Sequence, residues 1–169
     1  MKALLGFALF AGLSAPAYLA QTGTVIFYSP SITWKSEAAV FAPKSTQPFG
    51  GWLSDGPQRL AHLTHGRFAA FHLKPGAHSF AITGPLGPGK SPLVLNVEDG
   101  GQHCVRLYAK VINLQVYGQW DSLIEEVPCE RAQHEAAHLK PIEMKHVDAA
   151  VRSEIDPATT FPDPAQPPH

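Results

Sequence analysis

Residues 67–83, RFAAFHLKPGAHSFAIT, contain two short apolar runs on either side of a Lys-Pro-Gly sequence. The first run ends near Pro75, which fixes its own φ and cannot continue a central strand. Gly76 accepts a positive φ, and the second run carries the Phe, Ile and Thr residues that are typical of strands. The stretch therefore predicts two short strands joined by a tight Pro-Gly turn.

The same alternation of short strands and turns continues on both sides of this stretch. Strand-length runs at this spacing, separated by Gly and Pro, are typical of an antiparallel β-sandwich or open barrel. Nothing in the region has the helical period that βαβ units need. We therefore predict a mostly-β, antiparallel sandwich over residues 21–120. The further candidate strands are residues 23–28, 37–42, 50–53, 58–63, 91–97, 102–109 and 111–117.

The character of the sequence changes after Trp120. Residues 128–139, PCERAQHEAAHL, are helix-like, with a proline near the start and Pro141 as the stop signal. Residues 147–155 predict a second short helix. Residues 156–169 are rich in proline and predict a disordered or extended tail. The prediction is thus a short helical extension over residues 121–155 that follows the sandwich.

The N-terminus has the three-part layout of a secretory signal peptide. Lys2 precedes an unbroken run of apolar or small residues over positions 3–13, and Ala17 and Ala20 offer two cleavage sites. The run is too short for a transmembrane anchor, which needs about 20 apolar residues. We therefore predict that residues 1–20 are a signal peptide, that no membrane span remains after its removal, and that the mature protein is secreted or periplasmic.

Export changes the interpretation of the two cysteines, Cys104 and Cys129. Both survive signal cleavage and meet an oxidising compartment, in which disulfides form and persist. In the chain-entropy model, a disulfide between them would stabilise the fold by roughly 3–4 kcal/mol, because it closes a loop in the unfolded chain. We expect a disulfide that attaches the helix to the strand containing Cys104. The alternative is two buried free thiols, or a thiol left for a partner.

His134, Glu135 and His138 belong to an H-E-A-A-H sequence within the predicted helix. Two His residues four apart lie on one helix face and can ligate zinc, and the Glu can act as general base for a bound water. A catalytic zinc also needs a third protein ligand, and Met144 stands where the extended motif has a third His. We therefore expect no catalytic residue, metal or cofactor, and keep zinc binding by His134 and His138 as the alternative.

The strand histidines are a second candidate for metal binding. His72, His78 and His103 could gather on one sheet face, but no Asp or Cys stands at ligand spacing from them in the sequence. Half-exposed strand histidines are the simpler interpretation. For His78, which follows the Pro-Gly turn, we expect a hydrogen bond to the backbone of that turn.

Trp34, Trp52 and Trp120 are the residues that would line a sugar-binding face. Packing in the core or at an edge is the more common role of Trp. The Gly-rich residues 84–90 lack the residue order of a phosphate-binding loop and precede no helix. The formal net charge of −1 gives no electrostatic basis for binding nucleic acid or an anionic membrane.

The turn residues of the central region resemble those of a known group of proteins. These are Asp55-Gly56, Leu60-Ala61-His62-Leu63, Gly66-Arg67-Phe68, L-K-P-G-A-H at residues 73–78, and Gly100-Gly101 before the strand with Tyr108. They resemble a bacterial envelope family known only as a domain of unknown function and, more distantly, the PEGA-type sandwich repeats. In those domains one hairpin presents a D-G turn and a second carries L-x-P-G-x-H. The resemblance implies an exported, immunoglobulin-like or PEGA-like sandwich without known catalytic residues. Unlike many lipid-anchored members, this chain has no Cys near the cleavage sites.

Together these observations favour an exported, non-enzymatic binding or structural module of the bacterial cell envelope. The expected partner is an envelope protein or a glycan. Two alternatives stay open at this point. One is a zinc-dependent peptidase that uses the H-E-A-A-H segment, and the other is a carbohydrate-binding or metal-binding module.

Overall fold

The computed structural model describes residues 22–30, 50–84, 87–89, 91–113 and 119–156. The predicted signal peptide, Trp34, the candidate strand at residues 37–42 and all but the first residue of the predicted tail lie outside these ranges. Within the described ranges the chain forms ten strands and one α-helix. No helix among these residues is long and apolar enough to cross a membrane.

The strands are numbered in chain order. They are β1 (Gly23–Ser29), β2 (Gly50–Asp55), β3 (Gln58–Thr64), β4 (Arg67–Leu73), β5 (Gly76–Gly84), β6 (Gly87–Pro88), β7 (Leu93–Val97), β8 (Gln102–Asn113), β9 (Gln119–Val127) and β10 (Lys140–Pro141). The helix α1 (Cys129–Ala136) lies between β9 and β10.

The strands form two sheets, so the predicted mostly-β sandwich with a short C-terminal helix is confirmed. The first sheet has the order β10-β4-β1-β8-β9, and the second has the order β3-β2-β5-β6 with β7 also paired to β5. Phe80 pairs with both Asp55 and Leu93, so β2 lies on one side of β5, and β7 lies on the other. The pairing is not purely antiparallel, because β1–β8 and β10–β4 are parallel pairs.

The main core lies between the two sheets and is dominated by three phenylalanines. The ring of Phe27 lies 6.0 Å from that of Phe71 and 4.9 Å from that of Phe80, both in edge-to-face geometry. Such aromatic pairs add about 0.5–1.5 kcal/mol to the stabilisation from burial alone. The three strands that carry these rings come from both sheets, so the contacts fasten the sandwich at its centre.

The central strand β1 is buried on both of its faces. Val25 and Phe27 face the second sheet, while Ile26 and Tyr28 face α1, and all four side chains are fully buried. The helix presents Ala132 and other apolar residues to this outer face of the first sheet. An alternating strand normally keeps one polar face, so the unbroken apolar run of β1 is explained by the helix that covers it.

The disulfide between Cys104 and Cys129 is present, as expected, with the two Cα atoms 5.2 Å apart. It joins β8 to the first residue of α1. Cys104 also stands opposite Val127 in the β8–β9 ladder. The helix is therefore held to the first sheet at its N-terminus by a covalent bond and along its length by packing.

Residues 140–156, which begin with β10, close the gap between β3 of the second sheet and β4 of the first sheet. Without this segment, β3 and β4 would both be edge strands. Val147, Val151 and Ile155 enter the main core, each no more than 6% exposed. Isolated bridges join Ala61 to Val147 and Phe71 to Ile155. The segment contains two short 3-10 turns, Met144–His146 and Ala149–Val151, in place of the predicted helix at residues 147–155. Backbone pairing with the two edge strands competes with helix formation and prevails here.

The β8–β9 region also differs from the sequence prediction. Residues 102–113 form one continuous strand where two were predicted, and the predicted boundary at residue 120 falls inside β9. The L-K-P-G-A-H stretch joins β4 of the first sheet to β5 of the second, so it is a crossover between sheets and not the turn of a paired hairpin. In contrast, Asp55-Gly56 does connect a hairpin, and Gly56 has a φ of 50°.

Candidate functional site

The outer face of the second sheet carries an exposed aromatic residue, Trp52, beside two basic side chains. Trp52 stands directly opposite His62 in the β2–β3 ladder, and their rings lie 5.2 Å apart. The guanidinium of Arg59 lies over the indole, with Cζ 4.4 Å from the ring centroid. Trp52 keeps 36% of its surface exposed. A large, exposed aromatic with a cation on its face is a typical feature of binding surfaces.

A β-bulge explains how Arg59 reaches the same face as His62. Strict alternation would place residues 59 and 62 on opposite faces of β3. The register shifts between Leu53 and Ser54, so that Ser54 faces Arg59 while Leu53 faces Ala61. Leu60 is the extra residue of the bulge, and it is buried together with its neighbour Ala61. The bulge thereby turns Arg59 outward and over Trp52.

A shallow hollow of about 220 Å³ adjoins Trp52. Its walls combine the indole with a guanidinium, two hydroxyl-bearing residues and the hairpin turn: Trp52, Ser54, Gly56, Pro57, Arg59 and Thr83. An aromatic surface with a few polar groups around it suits a small polar ligand that has one apolar face.

The hairpin turn beside this hollow is locked by Asp55 and His78. One oxygen of Asp55 accepts a hydrogen bond from the Ser79 backbone (2.9 Å), and the other contacts Nδ1 of His78 at 2.5 Å. Nε2 of His78 lies 2.8 Å from the carbonyl oxygen of Lys74, which confirms the expected backbone hydrogen bond. Both ring nitrogens face acceptors, so a doubly protonated ring satisfies both. Burial alone would lower the pKa of His78, but these hydrogen bonds and the Asp55 charge outweigh burial and raise it.

We expect His78→Gln to lower the free energy of unfolding by about 1–2 kcal/mol at pH 6, because a charge-assisted hydrogen bond is lost. A histidine whose folded-state pKa is raised stabilises the fold fully below its unfolded pKa of about 6.5. The stabilisation is lost as pH rises through the higher folded-state pKa. Chemical denaturation at several pH values should therefore show that the difference in the free energy of unfolding between wild type and variant shrinks as pH rises.

His72→Gln is the matched control for this experiment, since His72 is an exposed strand histidine whose ring lies 3.8 Å from Asp156. We expect a change within about 0.5 kcal/mol for it. A His78→Gln difference that stays constant from pH 5 to pH 9 would contradict the assignment of a protonated His78.

The H-E-A-A-H segment lies partly on α1. His134 and His138 are both exposed, and α1 ends at Ala136, two residues before His138. Leu139 turns inward to pack against the first sheet, and Lys140 begins β10. This docking of the chain onto β4 ends the helix earlier than the Pro141 stop signal alone predicts.

Glu135 points towards the first sheet, and its side chain is 25% exposed. Tyr28 donates a hydrogen bond to Oε2 of Glu135 (2.8 Å), and Nε of Arg131 donates one to Oε1 (2.8 Å). Nε of Arg106 lies 2.9 Å from Oε2, an ion pair without the alignment of a hydrogen bond. Burial works to raise the pKa of Glu135, but the hydrogen bonds and the Arg charges prevail and lower it. This carboxylate is therefore fully engaged and fastens α1 to β1 and β8.

The other candidate histidines do not converge. His72 contacts Thr24, with Oγ1 3.2 Å from Nδ1, while His103 contacts Glu126, with Nδ1 2.7 Å from the carboxylate. His78 lies on the second sheet. Among the described residues, no three His, Cys, Asp or Glu side chains gather as a metal site.

A larger groove of about 510 Å³ runs along β8 and β9 beside the disulfide. Its lining includes His103 and Glu126, with Nδ1 of His103 2.7 Å from Oε1 of Glu126. No Phe, Tyr or Trp side chain lines it. The smaller hollow at Trp52 is therefore the better candidate for a ligand-binding site than this groove.

The sequence pattern singles out Trp52 but not its neighbours Arg59 and His62. Trp34 and the side chain of Trp120 lie outside the described residues, so the structure places only Trp52 of the three. The three core phenylalanines take no part in the site. No family model, curated protein sequence or solved structure matches this chain.

Proposed function

We propose that the chain is an exported, non-enzymatic binding module of the bacterial cell envelope, and that it binds a saccharide in the hollow beside Trp52. The observation that carries the proposal is the exposed indole on the outer face of the second sheet, with a guanidinium held over it. Exposed large aromatic residues are enriched at binding sites, where they supply much of the binding energy.

The chemistry around the hollow supports a sugar as the ligand class. A pyranose ring has an apolar face of C–H groups that can lie against an aromatic ring, and hydroxyls around its edge. Arg59 supplies up to five N–H donors, and Ser54 and Thr83 supply hydroxyls that both donate and accept. Such groups match the edge of a sugar, while the exposed part of the indole, which Arg59 does not cover, can contact its apolar face.

The position of Glu135 argues against the peptidase alternative. A general base must reach the water that it activates, but this carboxylate is bound by Tyr28 and Arg131 beneath α1. The two histidines of the segment are exposed and are not joined by a third ligand among the described residues.

The disulfide supports the exported location. Disulfides persist in secreted and periplasmic proteins and are rare where thiols are kept reduced. This supports the predicted signal peptide at residues 1–20 by an independent route. The cell envelope as the site of action remains part of the proposal.

Binding of the mature protein to an array of bacterial cell-surface and plant glycans tests the proposal. We expect at least one glycan class to bind, and Trp52→Ala to weaken that binding roughly 30-fold, since a central Trp commonly contributes about 2 kcal/mol. Arg59→Ala should also weaken binding, because it removes both donors and the cation over the indole.

Val94→Ala provides the matched control. Val94 is a large apolar residue on the same outer face and is 66% exposed, but it lies on β7, away from the hollow. We expect binding by this variant to equal that of wild type. The proposal fails if no glycan binds, or if Trp52→Ala and Val94→Ala bind as well as wild type does.

A further inference from the structure

His62 and His146 are neighbours across two paired segments that are distant in sequence. Ala61 of β3 forms an antiparallel bridge with Val147, so the next positions, His62 and His146, stand opposite each other. Side chains at opposed positions of an antiparallel pair project to the same face, with Cβ atoms about 4.5–5.5 Å apart. Their rings are indeed close, with centroids 6.2 Å apart and planes tilted by 40°.

Both histidines are held in place by their surroundings. The Asp148 backbone donates a hydrogen bond to the Leu60 carbonyl (2.8 Å), and Val147 is 3% exposed in the core, so the backbone around His146 is anchored. The ring of His62 lies over Gly50, where an added Cβ would come within 3.2 Å of Cε1. Its other neighbour is the indole of Trp52. The pair is therefore preorganised.

We propose that His62 and His146 together bind a divalent transition-metal ion, preferring Cu²⁺ to Ni²⁺ or Zn²⁺, with water in the remaining positions. A metal–imidazole bond is about 2.0–2.1 Å long, so the centroids of two imidazoles on one ion lie about 4.5 Å apart at a ligand–metal–ligand angle of 90° and about 6.4 Å apart at 180°. The observed separation falls within that range. Imidazole ligands suit Cu, Ni and Zn, and affinity among these ions is greatest for Cu²⁺.

The lowered pKa of His62 favours the neutral ring that a metal ligand requires. Burial lowers its pKa, and the charge of the nearby His146 lowers it further. A histidine must be neutral to ligate a metal. A neutral His62 ring is already in the form that ligates a metal.

The other histidines that were candidates from the sequence, His72, His78, His103 and His134, are less suited to this role. His72, His78 and His103 each contact a carboxylate or a hydroxyl on a different part of the surface. His134 is a solvent-exposed residue of α1, and no described side chain is known to contact its ring. Its partner in the H-E-A-A-H pattern, His138, follows the end of the helix.

Titration calorimetry of the mature protein, without an affinity tag, with Cu²⁺, Ni²⁺ and Zn²⁺ tests the proposal. We expect one ion per chain at the strongest site. His62→Gln and His146→Gln should each weaken that site at least tenfold, because one imidazole of the chelate is lost. His134→Gln, which changes the exposed histidine of the other pair, should leave it unchanged. Mg²⁺ should not bind there, since it prefers oxygen ligands.

Electron paramagnetic resonance of the Cu²⁺ complex gives a second measurement, whose wild-type result does not depend on the stability of any variant. We expect hyperfine coupling to two imidazole nitrogens in wild type and to one in His146→Gln. The proposal is overturned if wild-type Cu²⁺ shows a single imidazole, or if only His134→Gln weakens binding. It does not depend on sugar binding, which the glycan array tests separately.

Discussion

Reduction of the Cys104–Cys129 disulfide should lower the free energy of unfolding by about 3.5 kcal/mol, the largest single effect that we expect from the structure. The two residues are 25 apart in sequence, and a loop of about 26 residues has this closure entropy in the chain-entropy model. For a domain of this size the melting temperature should fall by roughly 10 °C. Thermal and chemical denaturation with and without reductant would measure both changes.

The Cys104→Ser, Cys129→Ser double variant separates the covalent bond from other effects of the reductant. It should resemble the reduced wild type, and reductant should leave its unfolding unchanged. We also expect α1 to loosen, because the bond holds its first residue to β8. Equal stability of oxidised and reduced wild type would show that the disulfide does not constrain the fold as described.

Glu135→Gln should destabilise the protein by about 1.5–3 kcal/mol, the range for hydrogen bonds to charged groups. The change removes the charge that Arg106 and Arg131 face, and weakens the acceptor of the buried Tyr28 hydroxyl. Urea denaturation of wild type and variant at pH 7 would measure the loss. A residue that served only as a catalytic base would leave stability nearly unchanged on this substitution.

The effect of Glu135 should depend on pH in the acid range. The folded-state pKa of Glu135 is lowered, so its stabilisation is present above the unfolded pKa of about 4.3 and is lost as pH falls through the folded-state value. The difference in the free energy of unfolding between wild type and Glu135→Gln should therefore shrink as pH falls. His134→Gln, at the exposed neighbouring position, should change stability by less than about 0.5 kcal/mol at any pH. Equal destabilisation by the two variants would contradict the account.

Local turn chemistry in the sequence was sufficient to predict most strands of the second sheet. Asp55-Gly56 and the Pro75-Gly76 pair stand at the strand ends that they predict, and Gly56 and Gly76 both have positive φ. Such residues act over a few positions, so their effect is visible without knowledge of the fold. Which sheet each strand joins was not visible, and the crossover between β4 and β5 was therefore missed.

The C-terminal segment shows where local patterns mislead. Val147, Val151 and Ile155 recur every four residues, the spacing of a helix face. Their side chains are indeed buried together, but the backbone is held by bridges to Ala61 and Phe71. These partners are more than 80 residues away in the sequence, so no window of local sequence contains them.

The candidate site depends on two non-local features. Arg59 lies over Trp52 only because a bulge buries both Leu60 and Ala61. The two successive apolar residues were a weak signal of that bulge, because they interrupt the alternation of β3. The pairing of His62 with His146 had no signal, since it arises from docking of residues 140–156 onto the edge of the sandwich.

A double-mutant cycle on Tyr28 and Glu135 tests most directly whether the H-E-A-A-H segment fastens the helix to the sheet. Tyr28→Phe, Glu135→Ala and the double variant would be compared with wild type by urea denaturation. We expect the destabilisation by the double variant to fall short of the sum of the single effects by about 1 kcal/mol or more, because both single changes remove the same part-buried hydrogen bond. Additive effects within about 0.3 kcal/mol, together with stoichiometric zinc bound at His134 and His138, would contradict a structural role for this segment.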